Sequence, residues 1–280
     1  MAASRDSPPG AAGAPGAAGW LARHDRAVVL TAAGVIVLLS GLYTLGGGGV
    51  GMSALEMTRM ASPAGGASAL QPPGWTPSYA VLVFLMWWVM MIAMMTPSAA
   101  PVLLLFAAVK RAGPEAARAA PLSLLFLSGY LLAWAGFSAA ATGLQWLLET
   151  AGLSKGPMMP LSDRALAGAV LLAAGAYQFT PTKRACLAHC RSPVDFLTAH
   201  RRQGPAGAAL VGAHHGTYCL GCCWVLMVLL FAGGVMNLYW IAGLALYVLA
   251  EKHLPNGEVL ARIAGAGLIA AGAWMLATGL

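Results

Sequence analysis

Residues 207–235, GAALVGAHHGTYCLGCCWVLMVLLFAGGV, form an apolar run without an acidic residue, a lysine or an arginine. A helix of this length can cross a hydrocarbon core of about 30 Å, which takes about 20 residues. The whole chain has the same character, since 59% of its 280 residues are hydrophobic and only 9% are charged, against about 25% in a soluble domain. With a mean hydropathy of +0.73, the sequence predicts an all-α, polytopic transmembrane helix bundle.

The bundle is predicted to contain about seven spans. Gly265 and Gly267 in the last span are expected to allow close helix contact. Residues 1–26 are rich in Ala, Gly and Pro, which predicts a disordered cytoplasmic tail before a single helical domain at 27–280. Besides the run quoted above, the predicted spans are Ala27–Leu45, Tyr79–Val109, Pro121–Leu148, a span that starts with Ala165–Phe179, Leu238–Ala250 and Val259–Leu280.

The basic residues predict the orientation of these spans. With the N-terminus in the cytoplasm and the C-terminus outside, only Arg59, Lys155 and Arg164 of the 16 lysines and arginines lie in outer loops, as the positive-inside rule requires. Orientation in the lipid bilayer therefore accounts for the net charge of +7. The basic residues are not interleaved with aromatic residues, so we expect no nucleic-acid partner.

A column of soft metal ligands is predicted within residues 207–235, because side chains four apart stack on one face of a helix. Thiolates, thioethers and imidazoles favour Cu(I) or Zn(II) over Mg or Ca. Two other interpretations stay open: thiol redox chemistry, and plain packing, since cysteine is also a common small residue between helices. The column and the residues beside it are His214, His215, Cys219, Cys222, Cys223 and Met227.

A methionine-rich stretch, MWWVMMIAMM, lies in the predicted span Tyr79–Val109. Met86, Met90 and Met94 are spaced i, i+4 and i+8, which places them on one helix face. Their thioethers could form a path for Cu(I), although methionine also fills gaps in any apolar core. The predicted outer loops add further thioethers at Met52, Met57, Met60, Met158 and Met159.

A second cysteine motif, CLAHC, lies in the basic segment that the sequence assigns to an inner loop. Cys186 and Cys190 are four apart with His189 beside them, a spacing that suits a metal site at a helix end. Nearby lysine and arginine side chains should lower the pKa values of these thiols. The alternative interpretation is an exposed, reduced cysteine pair without a ligand.

The acidic residues and nucleotide motifs narrow the choice of mechanism. No Asp or Glu falls in the middle of a predicted span, and the nearest, Glu149 and Glu251, fall at span ends. A proton-driven transporter usually carries an intramembrane carboxylate or histidine, and here only His214 and His215 could serve, unless they are hydrogen-bonded helix-packing residues. The sequence also has no G-x-x-x-x-G-K-[ST] loop, so it does not use ATP through that motif.

The motifs WWVMMIAMMTPS, GAYQFTPTKRACLAHCRSP, GTYCLGCCWVLM and GGVMNLYW occur in this order along the chain. Together they resemble those of a family of bacterial inner-membrane proteins described as predicted metal-binding integral membrane proteins. The resemblance extends over Tyr79–Leu280 and implies a multi-span protein of the bacterial cytoplasmic membrane. It also implies a metal site, with suspected ligands at Cys186, Cys190, Cys219, Cys222 and Cys223.

We therefore expect a soft-metal protein, with copper as Cu(I) favoured over zinc, that transports or delivers the ion across the cytoplasmic membrane. The expected partners are a metallochaperone or a metalloenzyme, and a homo-oligomer stays open. The ligand pattern favours a non-enzymatic role. One alternative is a membrane thiol-disulfide oxidoreductase in which Cys219 and Cys222 exchange with Cys186 and Cys190. A second alternative is a membrane anchor for a partner enzyme.

Overall fold

The computed structural model describes residues 17–47, 53–60, 74–153, 161 and 163–278. Within these residues every regular element is helical, which confirms the all-α prediction. A short 3-10 turn, Ala116–Arg118, precedes the fourth helix. The helices are α1 (Ala17–Leu45), α2 (Ala54–Met60), α3 (Pro77–Arg111), α4 (Ala119–Thr150), α5 (Arg164–Tyr177), α6 (Pro181–Arg191), α7 (Pro193–Ala199), α8 (Gly204–Gly233), α9 (Leu238–His253) and α10 (Gly257–Ala277).

Five segments of the described chain are long and apolar enough to cross a membrane. The two other predicted spans are shorter than expected, because α5 has 14 residues and α9 has 16. At 1.5 Å per residue these helices extend about 21 and 24 Å, less than a core of about 30 Å. By helix length alone, five spans are supported, and the count of seven stays a prediction. The five are Ala27–Leu45, Pro77–Arg111, Ala116–Thr150, Gly204–Gly233 and Gly257–Ala277.

Side-chain caps fix where the short helices begin. The Thr180 hydroxyl accepts a hydrogen bond from the Lys183 backbone N–H, and Pro181 occupies the first turn of α6. Both features are typical of a helix start. The segment Lys183–Gln203, predicted as a basic loop between spans with CLAHC at a helix end, contains most of α6 and all of α7.

Contacts between connecting segments show which helix ends lie together. At one end of the bundle, the Trp75 indole N–H donates to Glu149, so the start of α3 lies beside the end of α4. At the opposite end, Glu115 accepts from the Gly204 backbone N–H and pairs with Lys110. The chain therefore passes from one end of the bundle to the other between α4 and α8, by way of α5, α6 and α7.

Helix α9 ends inside the bundle. It starts near α2, where the Leu238 N–H donates to Thr58, and it finishes with the side chain of Lys252 against Cys219. Cys219 lies about 22 Å along α8 from Gly204 at 1.5 Å per residue, which is near the middle of that helix. The C-terminal end of α9 thus carries polar side chains to mid-height in the bundle.

Glycines allow the closest helix contacts. A Cβ atom at Gly212 would overlap the backbone of Phe126, so α8 packs directly against α4. Gly265 lies against α5, where an added Cβ would be 2.7 Å from the Cβ of Gln178. The prediction for Gly265 is therefore confirmed. The same prediction for Gly267 is wrong, because a Cβ there would meet nothing within 4 Å.

Several predictions fall on parts of the chain that the structure leaves out. Met52, Met158 and Met159 lie outside the described residues, and the side chains of Met57 and Met60 are not described. The outer thioethers therefore stay a prediction. Of the predicted tail, residues 1–16 are also outside the described part. Helix α1 begins at Ala17, inside the segment assigned to the tail.

Candidate metal centre

Cys219 lies at the centre of a buried cluster of polar side chains. Its Sγ atom is 2.9 Å from the Lys252 ammonium and 3.3 Å from the Tyr130 hydroxyl. Its backbone carbonyl accepts hydrogen bonds from the thiols of Cys222 and Cys223, at 3.1 and 2.9 Å. All three cysteine side chains are fully buried. Groups from two other helices, α4 and α9, thus converge on one sulfur atom of α8.

The predicted column on α8 faces the interior of the bundle. His215, Cys219, Cys223 and Met227 are all buried, with exposures of 0–2%. Trp224, on the other face of α8, is 44% exposed. The helical spacing therefore predicted correctly which side of α8 packs against protein. An outward, lipid-facing position of the thiols would have removed the basis for a metal site.

A fourth thiol comes from outside α8. Cys190 on α6 is buried and lies close enough to Cys219 and Cys222 for their thiols to raise its pKa. Cys186, one turn earlier on α6, is partly exposed, and its thiol contacts the backbone at Gly221. The two cysteine motifs, which lie well apart in the sequence, are therefore neighbours in the fold. All five cysteines are free thiols in this structure.

The prediction of low pKa values for the two α6 thiols is wrong. Hydrogen bonds with Cys219 and Cys222, together with burial, raise the pKa of the Cys190 thiol well above its usual value. Burial, followed by the charge of Cys222, raises the pKa of Cys186. The nearby cations have other partners. Arg191 donates to the backbone carbonyl oxygens of Glu251 and Pro255, at 2.8 and 2.7 Å.

Lys183 has a buried acidic partner. Its ammonium forms an ion pair with Glu251 at 2.6 Å, and both side chains are at most 1% exposed. Glu251 lies near the end of α9, as predicted. It is fully buried all the same, because α9 ends within the bundle. The second carboxylate oxygen, Oε2, has no hydrogen-bond partner among the described residues.

The sequence analysis missed Ser98, Tyr130 and Lys252. The Lys252 ammonium donates to the Ser98 hydroxyl at 3.1 Å as well as to Cys219, and it is only 5% exposed. Tyr130 links the cluster to α3, because its hydroxyl donates to the Met95 carbonyl at 3.0 Å. The one available signal was the adjacent Glu251 and Lys252 after an apolar helix. A buried lysine of this kind requires a compensating partner.

Histidines lie beside the thiols, toward the N-terminal end of α8. The ring of His215 packs against Phe126, Tyr130 and Phe196, and its Nδ1 atom has no hydrogen-bond partner in the described structure. Nδ1 of His214 is likewise buried and unpartnered. His189 stacks on Tyr218, with ring centroids 4.2 Å apart. The predicted histidines thus lie near one another, although they do not surround one point.

The predicted methionines of α3 form part of the core. Met86, Met90 and Met94 are buried, with exposures of 0–4%. The described contact between α3 and the thiols instead runs through the backbone of Met95, by way of Tyr130. A thioether path along α3 therefore stays a prediction, and packing is the role that their burial supports directly.

The donor chemistry of the cluster suits a soft cation, since thiols and imidazoles dominate it and the one nearby carboxylate pairs with Lys183. The present side-chain positions are not those of a multi-ligand site. Among the described residues, no group of three or more His, Cys, Asp and Glu side chains is arranged to hold a metal ion. Cys222 and Cys223 point their thiols at a carbonyl instead. Binding through several sulfurs therefore requires these two side chains to rotate.

A comparison with known protein families relates the chain to copper-binding proteins. The family described as PpoB2, copper chaperone, matches residues 84–275, which include both cysteine motifs and Lys252. No curated protein and no solved structure matches the chain. The family match covers more than half of the 280 residues. The chain therefore belongs to the PpoB2 family of copper chaperones.

Proposed function

We propose that this protein is an integral membrane copper carrier that holds Cu(I) on the thiols around Cys219. The observation that carries the proposal is the meeting of four thiols from two helices, α6 and α8, at mid-height in an apolar bundle. Thiolates are the preferred ligands of Cu(I). Membership of a copper chaperone family supports the choice of ion.

The proposed ligands fall into an inner and an outer group. Cys219, Cys222, Cys223 and Cys190 form the inner group, because the first three are linked through the Cys219 carbonyl and Cys190 interacts with Cys219 and Cys222. The others have no described contact with these thiols that would make them inner ligands, and they would receive the ion from the inner group or supply it. This second group comprises Cys186, His189, His214, His215, Met227, Met86, Met90 and Met94.

We further propose that the chain crosses the bacterial cytoplasmic membrane about seven times, with the N-terminus inside. The start of α8 lies beside the link between α3 and α4, while the end of α4 lies at the opposite end of the bundle. The segment between α4 and α8 must therefore cross the bundle, although α5 alone is short. In this arrangement the thiols lie within the membrane, and copper would pass to a metalloprotein partner.

Copper content is the test of this function. Full-length protein purified in detergent under reducing conditions is expected to retain copper when it is loaded with Cu(I) and desalted. The C219S/C222S/C223S variant is expected to lose it, because serine replaces soft sulfur with a hard oxygen donor. The metal-to-protein ratio, determined by elemental analysis, decides the result. Equal copper in both proteins would reject the proposal.

A thiol-disulfide oxidoreductase is the second candidate, and the contact of Cys190 with Cys219 and Cys222 favours it. If this activity exists, growth under oxidising conditions should convert Cys190 and one α8 thiol into a disulfide. Alkylation of the denatured protein, followed by mass spectrometry, would count the free thiols. We expect all five cysteines to be alkylated under both oxidising and reducing conditions. A disulfide between α6 and α8 would favour the oxidoreductase instead.

A further inference from the structure

We propose that Lys252 is a specificity-determining residue, which makes the thiol cluster selective for monovalent soft cations over divalent ones. This inference rests on the proposed function and goes beyond it, since it assigns the choice of ion to a residue that cannot ligate the ion as an ammonium. Three observations carry it: the position of Lys252, the neutralisation of the charges around it, and the apolar surroundings.

The position of Lys252 is fixed from several sides. Its ammonium is 2.9 Å from Cys219 Sγ and 3.1 Å from the Ser98 hydroxyl, and the side chain is 5% exposed. Any cation bound to Cys219 would therefore have this positive charge as a close neighbour. Coulomb repulsion is proportional to the charge of the ion, so a divalent ion experiences twice the repulsion of a monovalent ion at the same position.

The other charges near Lys252 cancel or have their own partners. Lys183 and Glu251 form a buried ion pair at 2.6 Å and together contribute no net charge. Arg191 keeps its charge, but it is partly exposed and donates to the backbone carbonyl oxygens of Glu251 and Pro255. Among the described residues around the cluster, Lys252 is therefore the buried cation that the Lys183–Glu251 pair does not balance, and its ammonium lies against the Cys219 thiol.

Charge balance favours a monovalent ion bound to two thiolates beside Lys252. A charge buried in an apolar interior is costly unless it is compensated. A monovalent ion on two thiolates carries one negative charge, which Lys252 neutralises. A divalent ion on the same two thiolates is neutral by itself and leaves the Lys252 charge uncompensated, and it needs a third thiolate to restore the balance. Without the lysine, the preference is reversed, because two thiolates then neutralise a divalent ion.

Metal competition in the full-length, reduced protein tests this inference. Ag(I) serves as a monovalent probe that is not oxidised, and Zn(II) serves as the divalent probe. Lys252→Met is expected to lower the Ag(I)-to-Zn(II) affinity ratio by about tenfold or more, in the range found for residues that support metal ligands. Lys252→Gln, which is also neutral but stays polar, should act in the same direction. Lys252→Arg keeps the charge and is expected to keep the ratio of the wild-type protein.

The outcomes separate the inference from the function on which it rests. A wild-type protein that binds neither silver nor copper, or that prefers zinc, would overturn both. A wild-type protein that prefers silver, with the same ratio in Lys252→Met and Lys252→Gln, would overturn the inference alone. Loss of the ratio in Lys252→Arg as well would also overturn it, because the shape of the side chain, rather than its charge, would then set the selectivity.

Discussion

Replacing Cys219 with serine is expected to weaken Cu(I) binding more than replacing any other single cysteine. The Cys219 sulfur contacts Tyr130 and Lys252, and its carbonyl group orients the thiols of Cys222 and Cys223. The substitution leaves the carbonyl in place, but it removes a soft ligand and replaces the sulfur beside the Lys252 ammonium with a hydroxyl that cannot ionise to balance its charge. We expect the affinity to fall by more than about 100-fold, the upper range for residues that only support a ligand. Competition with a Cu(I) chelator of known affinity measures the change.

Cys186→Ser is the matched control for this experiment. Cys186 is also a free thiol near the cluster, but it is partly exposed and contacts Gly221 rather than Cys219. Its substitution is expected to change the Cu(I) affinity much less. If Cys186→Ser lost copper while Cys219→Ser retained it, the ion would be bound on the α6 side of the cluster. Our assignment of Cys219 as the central ligand would then be wrong.

The helices and the inward face of α8 could be predicted from the sequence, because both follow from local spacing. Uncharged runs give long helices, and side chains four apart share a face, so His215, Cys219 and Met227 were placed together correctly. The extent of α6 was not predicted, since CLAHC was placed only at a helix end within a basic connection. Its Thr180 cap followed by Pro181 was the signal for a helix start.

The remainder of the site depends on contacts between distant parts of the chain. Cys190 reaches Cys219 because the connection between α4 and α8 runs back along α8, and no local pattern contains that information. The pKa prediction for the α6 thiols failed for the same reason. The sequence places Lys183 beside Cys186, but in the fold its charge is compensated by Glu251, which is far along the chain.

Removing one member of the Lys183–Glu251 pair is expected to be the most damaging change to stability. Both side chains are buried, and the loss of one partner leaves an uncompensated charge in an apolar interior. Such a loss costs about 3–5 kcal/mol. Lys183→Met and Glu251→Leu should therefore each lower the unfolding midpoint of the metal-free protein in detergent. By contrast, Glu115→Gln alters the more exposed pair with Lys110 and should lower the unfolding midpoint much less.

The double variant K183M/E251L distinguishes the cost of an uncompensated buried charge from a role of the ion pair in positioning α6 and α9. If uncompensated charge is the cause, replacing both partners with apolar side chains should restore most of the stability. The ion pair also joins α6, which carries Cys190, to α9, which carries Lys252. A double variant that unfolds like the wild-type protein but binds Cu(I) more weakly would mean that the pair also positions these two helices around Cys219. A double variant as unstable as the single ones would contradict the charge argument, because no buried charge would then be left to explain the loss.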